Sequence, residues 1–511
     1  MRAVVARLGV LAAGLVVVAI GGALLAGLLT EGDRGGPVVG SEFPATAMDL
    51  GRGYANNSPI LLADPTEGRF VVMANRLDAP DFSCALQVSG DGGRTWEPSN
   101  PVPKLPEGAE KCYAPEVAFD ADGTLYYLFV GLEGAGNQPM GAFLSTSADR
   151  ARTFSEPRRV LGPRNYAVRM AMDGDRDRLH LVWLHAGTDP PLGGFNAGPN
   201  PIQAAYSDDG GRTFSGPVTV AGAGAERVVA PALTLGPSGD VHVAFYDLQD
   251  DVRDYQGLEG PTWERTWGIR LATSSDGGRR FGDPIAVDDG IVPDERVILI
   301  FTMPAPSLVA GDGRICAAWT DARNGDPDAL LRCSSDGGGT WGELRRLNDD
   351  GAGNGRAQYQ PRLGLAPDGR LDAVFYDRRN DADNVLNQVF YTYSTDGAAT
   401  FTPNRLLTTD PSTTRVGQRY TNTSAQGLVE FGSRMGLLST DGEAVAAWTD
   451  TRNSRSGTSQ DLFSATVTFP EGSGPVWARV VGGGLLAAGL VLLVVAARPR
   501  RATPVGEEQP S

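Results

Sequence analysis

Ser207-Asp208-Asp209-Gly210-Gly211-Arg212-Thr213-Phe214 decides the fold, because versions of it return at nearly constant spacing. Ser89 to Trp96 reads SGDGGRTW, Ser147 to Phe154 SADRARTF, and Ser274 to Phe281 SSDGGRRF. Ser334 to Trp341 reads SSDGGGTW and Ser394 to Phe401 STDGAATF. The common frame is S-x-D-x-G-x-T-F/W, with central aspartates Asp91, Asp149, Asp209, Asp276, Asp336 and Asp396 spaced 58, 60, 67, 60 and 60 residues apart. One Asp-Gly turn carries little weight, but six in a single register predict a repeat architecture. The chemistry of the frame is local. The Asp accepts backbone N–H groups just ahead of it and closes a tight turn. The Gly allows a left-handed backbone. Ala151 and Ala398 stand at the Gly position and Arg280 at the Thr position, a tolerance that suits a folding staple. A calcium loop would need regularly spaced oxygen ligands that the frame lacks, so no metal is expected there.

Between the turns each unit repeats one grammar. A Pro-led apolar run comes first, as in PEVAFD, PALTLG, PSLVAG and PRLGLA; alternating runs follow, as in LYYLF, LHLVW, VHVAF, ICAAW and LDAVF. Short alternating runs bounded by Gly, Pro and Asp read as half-buried strands. Four such strands every sixty or so residues predict an all-β propeller of four-stranded blades. Six turn motifs suggest six blades. A seventh unit without the motif follows at Arg434 to Leu438, Ala444 to Trp448 and Leu462 to Val467, so seven are favoured. A strand near Pro37 to Phe43 would then close the ring and remove an exposed edge.

The net charge of -16 excludes a nucleic-acid partner, which needs a basic face. Leu8 to Leu29 is uncharged and preceded by Arg2 and Arg7; Val480 to Ala497 is uncharged and followed by Arg498, Arg500 and Arg501. At about 1.5 Å rise per residue the first spans a bilayer core of roughly 30 Å. The expected layout is an N-terminal transmembrane anchor or signal (1–31), a linker (32–56), the propeller (57–469), a C-terminal transmembrane helix (476–498) and a tail (499–511). Positive flanks place both termini in the cytoplasm and the propeller outside the cell membrane. An even cysteine count suits that compartment. A hairpin that sets Asp321 opposite Asp328 also sets Cys316 opposite Cys333, which leaves Cys84 and Cys112 as the second pair.

The repeated turns resemble the Asp-box, or BNR, repeats of the sialidase superfamily of β-propellers, over roughly residues 57 to 469. The resemblance implies turns on the face away from the active site. It also implies three arginines on a substrate carboxylate, a Tyr nucleophile paired with Glu, an Asp acid/base, and no cofactor. Aligning the first strands puts Ile60, Glu116, Arg169, Ala232, Ser307, Arg362 and Arg434 at one repeat position. Arg169, Arg362 and Arg434 are therefore the candidate carboxylate ligands, since guanidinium forks match carboxylate oxygens. Glu116, Tyr359 and Tyr420 are the candidate catalytic groups. The competing structural reading is that these arginines pair with nearby acids and hold blades together. A D-x-R-N repeat (Asp321 to Asn324, Asp377 to Asn380, Asp450 to Asn453, with a partial copy at Asp247) reads as structural ion pairs on the same face. The F/Y-R-I-P stretch that opens the family's propeller is replaced by Ser58-Pro59-Ile60, without the Arg. His180 and His242 fall at equivalent strand positions, so a His-based triad or zinc site is not expected. Two functions follow. One is an exo-α-sialidase-type glycoside hydrolase acting on a terminal acidic sugar. The alternative is a non-catalytic propeller whose partner is an anionic glycan or a surface protein.

Overall fold

Each short apolar run becomes a strand, and successive strands pair antiparallel into one sheet per repeat. The computed structural model describes residues 36–44 and 55–469, apart from 79–80, 100–101, 135–136, 187–199, 222–226, 250, 252–264, 294–302, 312, 418–430 and 455–458. The chain divides into two units, Val39–Thr468 and the ends Met1–Val38 with Phe469–Ser511. The apolar segments 8–29 and 480–497 lie outside the described residues. Among the described residues no helix is long and apolar enough to cross a membrane.

Seven sheets result, which confirms the larger blade count. Blades 1 to 6 cover residues 56–98, 111–161, 165–221, 228–291, 307–346 and 358–406. Blade 7 takes three strands from 436–468 and its fourth from Val38–Pro44, which lies against Asp461–Thr468. The closing strand expected near Pro37 to Phe43 is therefore present. Glu42 fixes it: Arg452 Nη1 donates to Glu42 Oε2 at 2.7 Å while Arg452 Nη2 holds Asp450 at 2.6 Å.

The second strands differ from the half-buried expectation. Leu125 to Leu132 is buried throughout, on both faces, as is Leu371 to Asp377. Each blade lies between two neighbours, so both faces of its middle strands meet apolar surface. Trp319, Phe129, Phe245 and Phe375 fill these interfaces, each almost wholly removed from water. Burial of such side chains contributes about 1.5–3 kcal/mol each.

The turn motif works as its chemistry predicts. Ser207 Oγ donates to Asp209 Oδ1 (2.7 Å) and accepts the Gly211 N–H (2.8 Å); Asp209 accepts the Thr213 N–H (2.8 Å) and hydroxyl (2.6 Å). Those donors hold the Asp209 carboxyl well below the usual range, the Thr213 hydroxyl first among them. Gly211 has φ +71°, and a Cβ there would lie 2.5 Å from Leu144 of blade 2. Ala151 and Ala398 adopt the same left-handed backbone, at φ 60° and 66°. Both disulfides form as paired in sequence. Cys316 lies directly opposite Cys333 in the ladder that pairs Asp321 with Asp328, and Cys84 joins Cys112.

Candidate functional site

The innermost strands carry a repeated irregularity. In five of them a β-bulge sets two residues against one of the partner strand just before the aligned position: between Asn57 and Ile60, Tyr113 and Glu116, Tyr166 and Arg169, Val229 and Ala232, and Tyr359 and Arg362. The first bulged residue is left-handed each time: Ser58, Ala114, Ala167, Ala230 and Gln360, with φ between 48° and 56°. Gly432 takes the equivalent place before Arg434. Non-glycine residues held in this region cost of order 1–3 kcal/mol each and cluster at functional sites.

The bulges have a geometric effect. They turn backbone carbonyls toward the central channel, where arginines of other blades collect them. Arg169 Nε donates to Pro231 O (3.1 Å), Arg434 Nη2 to Pro115 O (2.7 Å) and Arg434 Nε to Ser58 O (3.3 Å). All seven aligned residues, Ile60, Glu116, Arg169, Ala232, Ser307, Arg362 and Arg434, line one central cavity of about 430 Å³. The structure thus brings the three candidate arginines together with Glu116.

Their roles within the cavity differ. Glu116 is buried and takes an ion pair from Arg169 Nη1 at 3.2 Å and another from Arg434 Nη1. Arg362 stands apart. Its Nε is buried without a hydrogen-bond partner. Burial pushes its pKa down to about 10, with Arg434 and Arg169 adding to the effect and Glu116 opposing it. It remains a cation at neutral pH. Gln360, one turn of the bulge away, spends its amide N–H on Gly432 O and leaves Oε1 buried and unpaired. One cavity therefore holds three guanidiniums against one carboxylate, plus an unused donor and an unused acceptor. That arrangement fits an anion bearing a hydroxyl or amide beside its charge.

The other candidates fall elsewhere. Tyr359 does not line the cavity. The bulge turns it outward, where it stacks on Tyr376 (5.2 Å between centroids) and accepts a long hydrogen bond from Arg378 Nη2 (3.4 Å). Tyr420 lies outside the described residues. The D-x-R-N arginines are all engaged: Arg323 with Asp321 and Asp288, Arg379 with Asp377 and Asp349, Arg452 with Asp450 and Glu42. These loops tie neighbouring strands and blades, as the structural reading expects. Burial holds His180 neutral, with a pKa lowered to about 4. Among the described residues no cluster of His, Cys, Asp and Glu is arranged to hold a metal. The left-handed bulge and the free state of Arg362 went unread in sequence; the X-Pro pairs Ser58-Pro59, Ala114-Pro115, Ala230-Pro231 and Gln360-Pro361 are the signal that could have disclosed the bulge.

A family model described as "BNR repeat-like domain" matches residues 199–457, just over half of the chain. No curated protein matches. Solved structures similar to the chain include a protein of unknown function from Dyadobacter fermentans DSM 18053, at 14% identity, covering 85% of this chain and 100% of that one with TM-score 0.46. A Hadza microbial sialidase is similar at 17% identity, over 63% of each chain, with TM-score 0.39. An α-L-arabinofuranosidase from Fusarium graminearum is similar at 12% identity, over 85% of this chain and 98% of that one, with TM-score 0.43.

Proposed function

The chain belongs to the BNR repeat-like domain family, and on that premise we propose that it is a membrane-held propeller that captures a carboxylate-bearing ligand, an acidic sugar, in its central cavity without hydrolysing it. The observation that carries this reading is Arg362, a half-buried cation whose buried Nε has no hydrogen-bond partner, set beside an Arg169–Glu116–Arg434 group in which two guanidiniums already share the one carboxylate. A ligand carboxylate supplies the missing anion. Glu116 is committed to two guanidiniums and Tyr359 points away, so neither is free to act on a glycosidic bond. Three arginines around one glutamate also support sialidase-type hydrolysis as a second reading, with Tyr420 as its nucleophile.

The apolar segments 8–29 and 480–497 support tethering at both ends, with the propeller outside the cell. Within the propeller both ends lie on the turn-motif side. Gly40 lies against Thr466 O, Thr468 pairs with Glu443, and Glu443 takes an ion pair from Arg94 of the first turn motif. The test is calorimetric titration of the purified ectodomain with N-acetylneuraminate, beside an assay with a fluorogenic sialoside. Saturable binding that Arg362→Ala abolishes, without turnover, is expected. Turnover would overturn the non-hydrolytic reading. Binding unaffected by Arg362→Ala would overturn the site.

A further inference from the structure

Blades 4 to 7 carry an aspartate at one repeat position of the second strand, Asp247, Asp321, Asp377 and Asp450, and in two of them it holds a buried indole. In blade 5, Trp319 Nε1 donates to Asp321 Oδ2 (3.0 Å), two residues along the second strand. In blade 7, Trp448 Nε1 does the same to Asp450 (3.2 Å). Asp247 and Asp377 occupy that position in blades 4 and 6. At the junction of blades 4 and 5 a second carboxylate, Asp288 on the outer strand of blade 4, accepts from Arg323 at 2.8 Å and pairs with Arg332.

Blade 3 keeps the tryptophan and loses both acids. Trp183 aligns with Trp319, and His185 stands where Asp321 would be. Leu161, which pairs with Ala142 as Asp288 pairs with Ile269, replaces the second acid. Trp183 is 3% exposed, and its indole N–H has no hydrogen-bond partner. A buried donor without an acceptor costs about 1–3 kcal/mol of desolvation in general. It lines a cavity of about 510 Å³ between blades 2 and 3, together with Asn165, His185, Gln203, Arg159 and Arg212. That volume lies in the range of small-molecule sites. Two arginines and no carboxylate line it, in a chain of net charge -16.

The unused groups define the occupant. Trp183 N–H lacks the carboxylate that its counterparts hold, and Arg159 and Arg212 supply positive charge at the exposed edge. Asn165 Oδ1 accepts from His185 Nδ1 at 2.9 Å while Asn165 Nδ2 donates to Gly162 O, which leaves His185 Nε2 as an acceptor for a hydroxyl. We propose that the cleft between blades 2 and 3 is a second, independent binding site for an acidic sugar, whose carboxylate takes the place of the two carboxylates this junction lacks and whose hydroxyl donates to His185.

The experiment uses glucuronate as probe and glucose as control. It is run on the Arg362→Ala protein, so that the central cavity does not contribute. Saturable glucuronate binding is expected there, about tenfold weaker when Trp183→Phe removes the indole N–H together with part of the ring, as for loss of one hydrogen bond to a charged group. Arg212→Ala, at an exposed position, is expected to weaken it similarly and guards against a folding defect at Trp183. No saturable binding by the Arg362→Ala protein overturns the proposal. So does binding that both further substitutions leave unchanged. Equal affinity for glucose overturns the carboxylate's part in it.

Discussion

Replacing Glu116 by glutamine keeps the shape of the side chain and removes the only carboxylate from a cavity with three guanidiniums. The Arg169–Glu116 contact at 3.2 Å corresponds to about 5 kcal/mol at an effective dielectric of roughly 20. Arg434 adds a second contact on the same oxygen. Glu116 itself no longer needs desolvation in the variant, which offsets several kcal/mol. Removing one partner of a buried pair then costs about 3–5 kcal/mol net. With about 2.1 cal/mol/K of unfolding entropy per residue, a propeller of this size loses about 3–6 °C in melting temperature. The assay is paired thermal unfolding of wild type and Glu116→Gln, each with and without N-acetylneuraminate. Because the ligand carboxylate takes over the neutralising role of Glu116, it should raise the variant's midpoint more than the wild type's. A midpoint shift below about 1 °C would show that Glu116 does not hold the cluster. Equal ligand effects on both proteins would refute the carboxylate reading of the cavity.

Two further outcomes test the scaffold. Hydrogen bonds from the Thr340 hydroxyl and N–H hold Asp336 from its ordinary 3.8 down to about 2. A carboxyl depressed in the folded state stabilises above its unfolded pKa and loses that contribution as pH falls through the folded one. The melting-temperature gap between wild type and Asp336→Asn should therefore be constant at neutral pH and close between about pH 4 and 2. A gap that persists at pH 2 would contradict the assignment. Arg452→Ala removes two hydrogen bonds onto Asp450 Oδ2 and the bond to Glu42, for an expected loss of about 3–5 kcal/mol. Hydrogen exchange should then rise chiefly in residues 38–44, and unchanged protection there would show that Arg452 does not secure the closing strand.

What sequence disclosed was whatever depends on local chemistry or on register. Ser207 to Phe214 announces the fold because its hydrogen bonds close within eight residues. The Cys316–Cys333 bridge was legible because a hairpin's register is additive: once Asp321 faces Asp328, every other pair follows. The convergence of Arg169, Arg362 and Arg434 was legible for a similar reason, since equivalent positions of inner strands must face one channel. Partner choice was not legible. That Glu116 would take Arg169 and Arg434 and leave Arg362 unpaired depends on distances across the ring. The placement of Tyr359 was not legible, because a bulge separates it from Arg362 and its ring stacks on Tyr376. The alternation in LYYLF was read as one wet face and one dry face, whereas packing between two neighbouring blades dries both.

The strand at Val38–Pro44 also sets a clock. It is the earliest-made piece of the propeller, yet its partner strand ends at Thr468, and the Glu42–Arg452 bond spans 410 positions. At roughly 5–20 residues per second, a ribosome needs about 20–80 s to deliver the second half of that contact. For that interval the strand is an unpaired edge, the kind of template on which chains join wrongly. The charge of Glu42 is the feature that discourages such pairing. The same carboxylate that keeps the nascent edge solitary is the one Arg452 later claims, so a single side chain serves first as a guard and then as a latch.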